Sequence, residues 1–160
     1  TEAALRRLDD GRGFMLVVES ASIDKQSHQR RPCGHIGELG QLDETVALAV
    51  EYARAHPETL VLVTADHGHA AQLVPETSVL AGLGAASPGH FARVRTPEGA
   101  VMGINYASND SVQEDHSGTN IPLFAFCAGA DALPTFLLQA EIFGVLTRHL
   151  GLDAGAGAGQ

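Results

Sequence analysis

The sequence predicts an α/β fold in which helices cover a largely parallel sheet, and three observations carry that expectation. Phe14–Val18 and Leu60–Ala65 are continuous apolar runs of strand length. Between them lies the clearest amphipathic helix of the chain, with Leu42, Val46, Ala49, Val50 and Ala53 forming one stripe. Strand, helix, strand in that order describes a βαβ unit whose sheet is buried on both faces. A chain of 160 residues with 44% apolar content can close one sizeable core, so a single globular unit is expected.

Taken in order, residues 2–10 read as a short helix with Leu5 and Leu8 on one face. The strand at 14–19 follows Gly13, and a helical turn over Asp24–Arg30 is stopped by Pro32-Cys33-Gly34. A glycine-dotted loop is expected up to Gly40. The central helix then begins with Asp43 and Glu44 on its dipole and closes at His56-Pro57. After strand 60–65, the small and glycine-rich residues 75–90 suggest a surface excursion. Phe91–Arg95 and Ala100–Tyr106 flank the turn sequence Thr96-Pro97-Glu98-Gly99 and predict a hairpin. A polar loop, 107–120, leads to a strand at Ile121–Cys127. Pro134 opens a last helix ending at Leu150 and Gly151. Residues 1–151 are thus expected to be structured. The Gly/Ala tail within 152–160 is expected to be disordered.

The formal net charge of −9, with no run of basic residues, argues against nucleic acid and anionic membrane as partners. No stretch approaches the ~20 apolar residues of a membrane span. The opening Thr1-Glu2-Ala3-Ala4-Leu5-Arg6-Arg7 reads as an amphipathic helix rather than a signal peptide, which suggests a fragment of a longer protein. Cys33 and Cys127 lack metal spacing. Each can be a buried thiol, and Cys33 can also pair with a residue outside this chain.

Three polar clusters carry the chemistry. In Val18-Glu19-Ser20-Ala21-Ser22-Ile23-Asp24-Lys25-Gln26-Ser27-His28, Glu19 stands at a strand end, and Asp24 and His28 lie one helical turn apart. A carboxylate and an imidazole so spaced can share a zinc ion, although Asp24 as a helix cap and His28 as a solvated side chain fit the same spacing. Thr64-Ala65-Asp66-His67-Gly68-His69 sits beyond the second strand, where parallel α/β sheets bind ligands. Asp66 and His67 would point oppositely in extended chain, and a turn at Gly68 could bring both inward. Glu114-Asp115-His116-Ser117-Gly118 precedes the last strand. Oxygen and imidazole donors without thiolates suit zinc, manganese or magnesium. Asp24, His28 and His116 make a three-ligand zinc site with one position open, the catalytic rather than the structural pattern.

The segments VESASIDKQSH, LVTADHGH and EDHSG closely resemble the three C-terminal metal-binding motifs of the alkaline phosphatase family, above all its bacterial branch. The resemblance runs from about Leu5 to Leu150. It implies the C-terminal part of a three-layer α/β/α sandwich holding two zinc ions and one magnesium ion. By motif position, Asp24, His28 and His116 are the implied ligands of the first zinc, Asp66 and His67 of the second, and Glu19 of magnesium. His69 is the implied partner that orients a carboxylate of the first zinc, and Lys25 the residue that meets phosphate through water, though a solvated helix lysine explains Lys25 as well. The implied reaction is phosphomonoester hydrolysis through a phosphoserine. The serine segment of the family has no counterpart here, so the fragment alone is expected to be inactive and to need the missing N-terminal part. A homodimer in the periplasm or outside the cell is implied as well. Ser20, Ser117 and Cys127-Ala128 depart from the usual family residues, the last from a Gly-Pro pair, which bears on local backbone geometry. Two alternatives stand beside this reading: another hydrolase of the superfamily, a phosphodiesterase or sulfatase, and a non-catalytic zinc-binding domain.

Overall fold

A computed structural model describes residues 1–74, 89–106 and 109–152. Among the described residues, four α-helices, α1 (Glu2–Leu8), α2 (Ala21–His28), α3 (Pro32–Ala55) and α4 (Glu141–His149), accompany seven short strands, all of which lie between α3 and α4. The strands are β1 (Leu60–Val63), β2 (Gly68–His69), β3 (Ala71–Val74), β4 (His90–Arg95), β5 (Val101–Tyr106), β6 (His116–Ser117) and β7 (Phe124–Cys127). The chain divides into two compact units. One comprises Thr1–Val18, Glu44–Asp66 and the residues from Pro122 onward, and the other comprises Glu19–Asp43 and His67–Ile121.

In the first unit β1 pairs with β7 in antiparallel register, Leu60 opposite Cys127 and Val63 opposite Phe124. Arg54 of α3 lies over the Phe126 ring at 5.7 Å, and Tyr52 packs between Phe14 at 5.9 Å and the stacked His56 ring at 4.0 Å. Ala53 and Val145 are its buried apolar residues. The strand expected at 14–19 does not form a ladder among the described residues. Met15, Val17 and Val18 of this run are exposed, so its strand propensity finds no partner backbone and no covering layer. Every ladder among the described residues is antiparallel.

Cys127 ends β7 with φ of 66°, in the left-handed region where a side chain crowds the backbone and glycine does not. This is the departure from glycine noted in the sequence. Its Sγ donates to the Ala53 carbonyl at 3.6 Å, and both Cys33 and Cys127 are free thiols. The last helix begins at Glu141, not Pro134. Glu141 accepts the Leu138 backbone N–H at 2.7 Å and so closes the first turn from within.

In the second unit β4 and β5 form the expected hairpin, His90 opposite Tyr106 and Arg95 opposite Val101. Thr96 N–H donates to the Ala100 carbonyl at 2.9 Å and Gly99 turns with φ of 88°. β3 adds to the other edge of β5, a strand the sequence reading omits. Ile104 and Tyr106 of the central strand are buried, and burial, with the charges of Glu114 and Cys33 behind it, pushes the Tyr106 hydroxyl above its ordinary pKa.

The glycine-dotted stretch 32–40 is helix rather than loop. Pro32 is not a stop but the first residue of α3, where its missing N–H costs nothing, and His35 N–H closes onto the Arg31 carbonyl at 2.9 Å. At Gly34 a Cβ would stand 2.3 Å from Gln26 Oε1, so the Gln26 side chain would have to move aside for a larger residue. The predicted excursion at 75–90, the start of the polar loop at 107–108 and the tail beyond Leu152 fall wholly or mostly outside the described residues. No described helix is long and apolar enough to cross a membrane.

Candidate metal centre

The centre is built in the second unit from α2 and the small β2–β6 ladder. Helical spacing sets Asp24 and His28 on one face of α2, with His28 Nε2 3.4 Å from Asp24 Oδ1. Lys25, one position on, is exposed. Ser27, fully buried, anchors the helix through its hydroxyl, which donates to the Ile23 carbonyl at 3.0 Å and also meets His35 Nδ1. Burial, followed by the charge of His69, holds the His35 imidazole below its ordinary pKa.

β2 and β6 pair His69 opposite His116 and Gly68 opposite Ser117. This ladder brings the third motif onto the second. Gly68 makes no turn. It is extended and lets the strands close, because a Cβ there would lie 2.4 Å from Thr119 Cγ2. Extended backbone sends alternate side chains to one face, so His67 and His69 act together. The His67 and His116 rings stack at 3.5 Å, and His116 Nε2 lies 3.2 Å from His28 Nε2.

Four donors, Asp24, His67, His69 and His116, each offer an atom within 4.8 Å of all the others. His69 Nε2 lies 2.9 Å from Asp24 Oδ1 and His67 Nε2 lies 3.8 Å from it. Burial opposes ionisation of Asp24, yet the His69 hydrogen bond and the charges of His28, His69 and His67 hold its carboxyl below the usual range. An ionised oxygen facing several imidazoles is the donor set of a zinc-type cation. The residues therefore fit a divalent metal.

Of the sequence-predicted residues, Asp24, His67, His69 and His116 are gathered, with His28 in contact with Asp24 and His116. Glu19 and Asp66 are exposed and outside the four-donor group; the Asp66 carbonyl accepts a bond from Gln139 Nε2 at 2.9 Å. What sequence reasoning missed is Arg30 and the role of Glu114, which it placed in the third cluster without a partner. Their buried ion pair, Nε to Oε2 at 2.7 Å, lies directly behind His28, and no local spacing signals a contact across 84 positions.

A sequence model of the family described as alkaline phosphatase matches residues 1–121. The chain belongs to the alkaline phosphatase family. It is 39% identical over 153 residues to alkaline phosphatase H of Pseudomonas aeruginosa and 38% identical over 154 residues to an alkaline phosphatase of Escherichia coli. It is 40% identical over 153 residues to streptomycin-6-phosphate phosphatase of Streptomyces griseus. Each alignment covers 95% of this chain but only 31%, 31% and 32% of the relative, so the chain spans about a third of their length. A solved mutant of TAB5 alkaline phosphatase with magnesium in its M3 site matches with a TM-score of 0.59 at 21% identity, over 83% of this chain and 34% of that one. The α/β fold expected from the sequence is therefore that of an alkaline phosphatase in part.

Proposed function

We propose that residues 1–151 are the C-terminal part of an alkaline phosphatase catalytic domain, with 152–160 as a tail, and that they supply metal ligands for phosphomonoester hydrolysis. The observation that carries this reading is the convergence of Asp24, His67, His69 and His116 within 4.8 Å in a chain of that family. Asp24, His28 and His116 would hold one zinc, Asp66 and His67 would contribute to a second, and Glu19 would contribute to a magnesium site. Bound divalent ions supply positive charge against the phosphoryl oxygens and lower the pKa of the attacking hydroxyl.

The side chains of this chain do the orienting. His69 fixes the Asp24 carboxylate through the 2.9 Å contact, leaving its other oxygen free to turn toward a cation. Lys25 would meet substrate phosphate through water. The hydroxyl that becomes phosphorylated would come from a serine of the remaining polypeptide. The substrate class is a phosphomonoester, in keeping with the names of the relatives. A homodimer in the periplasm or secreted completes the proposal.

The experiment is zinc binding and phosphate release from an aryl phosphate by the purified chain with zinc and magnesium at alkaline pH. Zinc binding that His116→Ala abolishes, without turnover above the metal blank, is the expected result. Absence of zinc binding would overturn the metal reading. Turnover lost in His116→Ala would overturn the assignment of the nucleophile to another part of the enzyme.

A further inference from the structure

Arg30 adopts φ of 53°, a left-handed conformation that costs a non-glycine residue free energy and persists only where the surroundings impose it. Its guanidinium is only 8% exposed and is enclosed by one short segment. Nε donates to Glu114 Oε2 at 2.7 Å, Nη1 to the carbonyls of Ser111 at 2.9 Å and Val112 at 3.3 Å. Nη2 donates to Asn109 Oδ1 at 2.9 Å and to the Asn109 and Gln113 carbonyls at 3.3 Å. A planar fork with five N–H groups can hold such a loop, and an ammonium cannot.

The segment so held ends on the metal centre. The Glu114 carbonyl accepts from His28 Nδ1 at 2.5 Å, and Glu114 N–H donates to the His28 carbonyl at 2.8 Å. Since a carbonyl only accepts, His28 carries its proton on Nδ1. In the neutral ring that a cation requires, the lone pair is then on Nε2, which faces Asp24 and His116. Two residues beyond Glu114 stands His116 itself. We propose that Arg30, through its ion pair with Glu114, is a positioning residue of the metal centre: it fixes the tautomer and direction of His28 and the approach of His116. This rests on the metal reading above, with His28 as a ligand.

The test compares the full chain with Arg30→Ala, Arg30→Lys and Ile104→Ala, the last a core change in the same unit at a residue outside the Arg30 hydrogen-bond set. Zinc affinity is measured by competition with a chromophoric chelator, and the His28 ring nitrogens are observed by NMR in the metal-free chain. Arg30→Ala is expected to weaken zinc binding about 10- to 100-fold, and to move His28 from the Nδ1–H form toward a mixture. Arg30→Lys, which keeps the charge and loses the fork, is expected to fall between, and it decides the matter if Arg30→Ala does not fold. Ile104→Ala is expected to lower the melting temperature and leave the His28 tautomer unchanged. Zinc affinity within twofold of wild type in the Arg30 variants, or an unchanged His28 tautomer, would overturn the proposal alone. A wild-type chain that binds no zinc would overturn the metal reading and this proposal with it.

Discussion

Replacing Gly68 by alanine puts a methyl group into the one ladder that joins the second and third motifs. Its carbon would stand 2.4 Å from Thr119 Cγ2, 3.2 Å from Ser117 Oγ and 3.3 Å from Ile121 Cδ1. Carbon pairs rest at ~3.5–4.0 Å, so the first contact is short by more than an ångström. Thr119 is β-branched and its methyl cannot swing clear without leaving its rotamer. Gly68 is half-buried and Thr119 exposed, so the cost lies toward the low end of the roughly 1–3 kcal/mol of core overpacking. In a chain of 160 residues that lowers the melting temperature by roughly 2–4 °C for each kcal/mol. Because His69 and His116 face each other in this ladder, zinc affinity should fall with it. Urea unfolding of Gly68→Ala, Thr119→Ala and the double variant measures the clash directly. Removing Cγ2 should restore about half or more of the loss, since the Ser117 and Ile121 contacts remain. A coupling below ~0.5 kcal/mol, the size found for independent sites, would refute the close approach.

Three further outcomes follow from the same structure. Burial depresses the His35 pKa from 6.5, so the folded chain binds fewer protons there than the unfolded chain below that pH. The stability that His35 contributes is therefore full above pH 6.5 and lost as pH falls toward its folded value, and His35→Gln should flatten unfolding free energy against pH in that window. Cys127→Gly should stabilise the chain by about 0.5–1 kcal/mol by removing a side chain from the left-handed region, with glycine's greater unfolded-state entropy offsetting part of the gain; a lower denaturation midpoint would show that the thiol contact to Ala53 dominates. Gly37→Ala and Gly40→Ala place a methyl in open space on α3, and each should raise stability by about 0.5–1 kcal/mol in thermal melts.

The hairpin and the helix through Leu42–Ala53 were legible because turn chemistry and helical periodicity are local. The start of that helix was not. Pro32 serves equally as a stop or as a first residue, and here it is a first residue, with the turn closed by His35 N–H on the Arg31 carbonyl. The pairing of β1 was also illegible, because an apolar run encodes burial but not its partner. Leu60–Val63 lies against Phe124–Cys127, while Phe14–Val18, no less apolar, has no ladder among the described residues.

The site divides in the same way. Asp24 and His28 declare themselves by helical spacing, whereas His67 and His69 share a face because Gly68 is extended rather than the turn the sequence suggested. His116 is joined to them in the sequence by donor type and by the resemblance to a family, and no local spacing places it until the β2–β6 register sets it opposite His69. Arg30 and Glu114 have no such signal. An arginine at the end of an expected helical turn and a glutamate in a polar loop describe a solvated surface, and only the long-range pairing reverses that description. Once both are buried, separating them would leave an uncompensated charge, a loss of about 3–5 kcal/mol. That coupling gives the loop one conformation, and so gives His28 a single carbonyl to face. The ligand motifs thus specify which atoms can meet a metal. How firmly they are held is decided by a long-range pair of which the motifs contain only one member, Glu114.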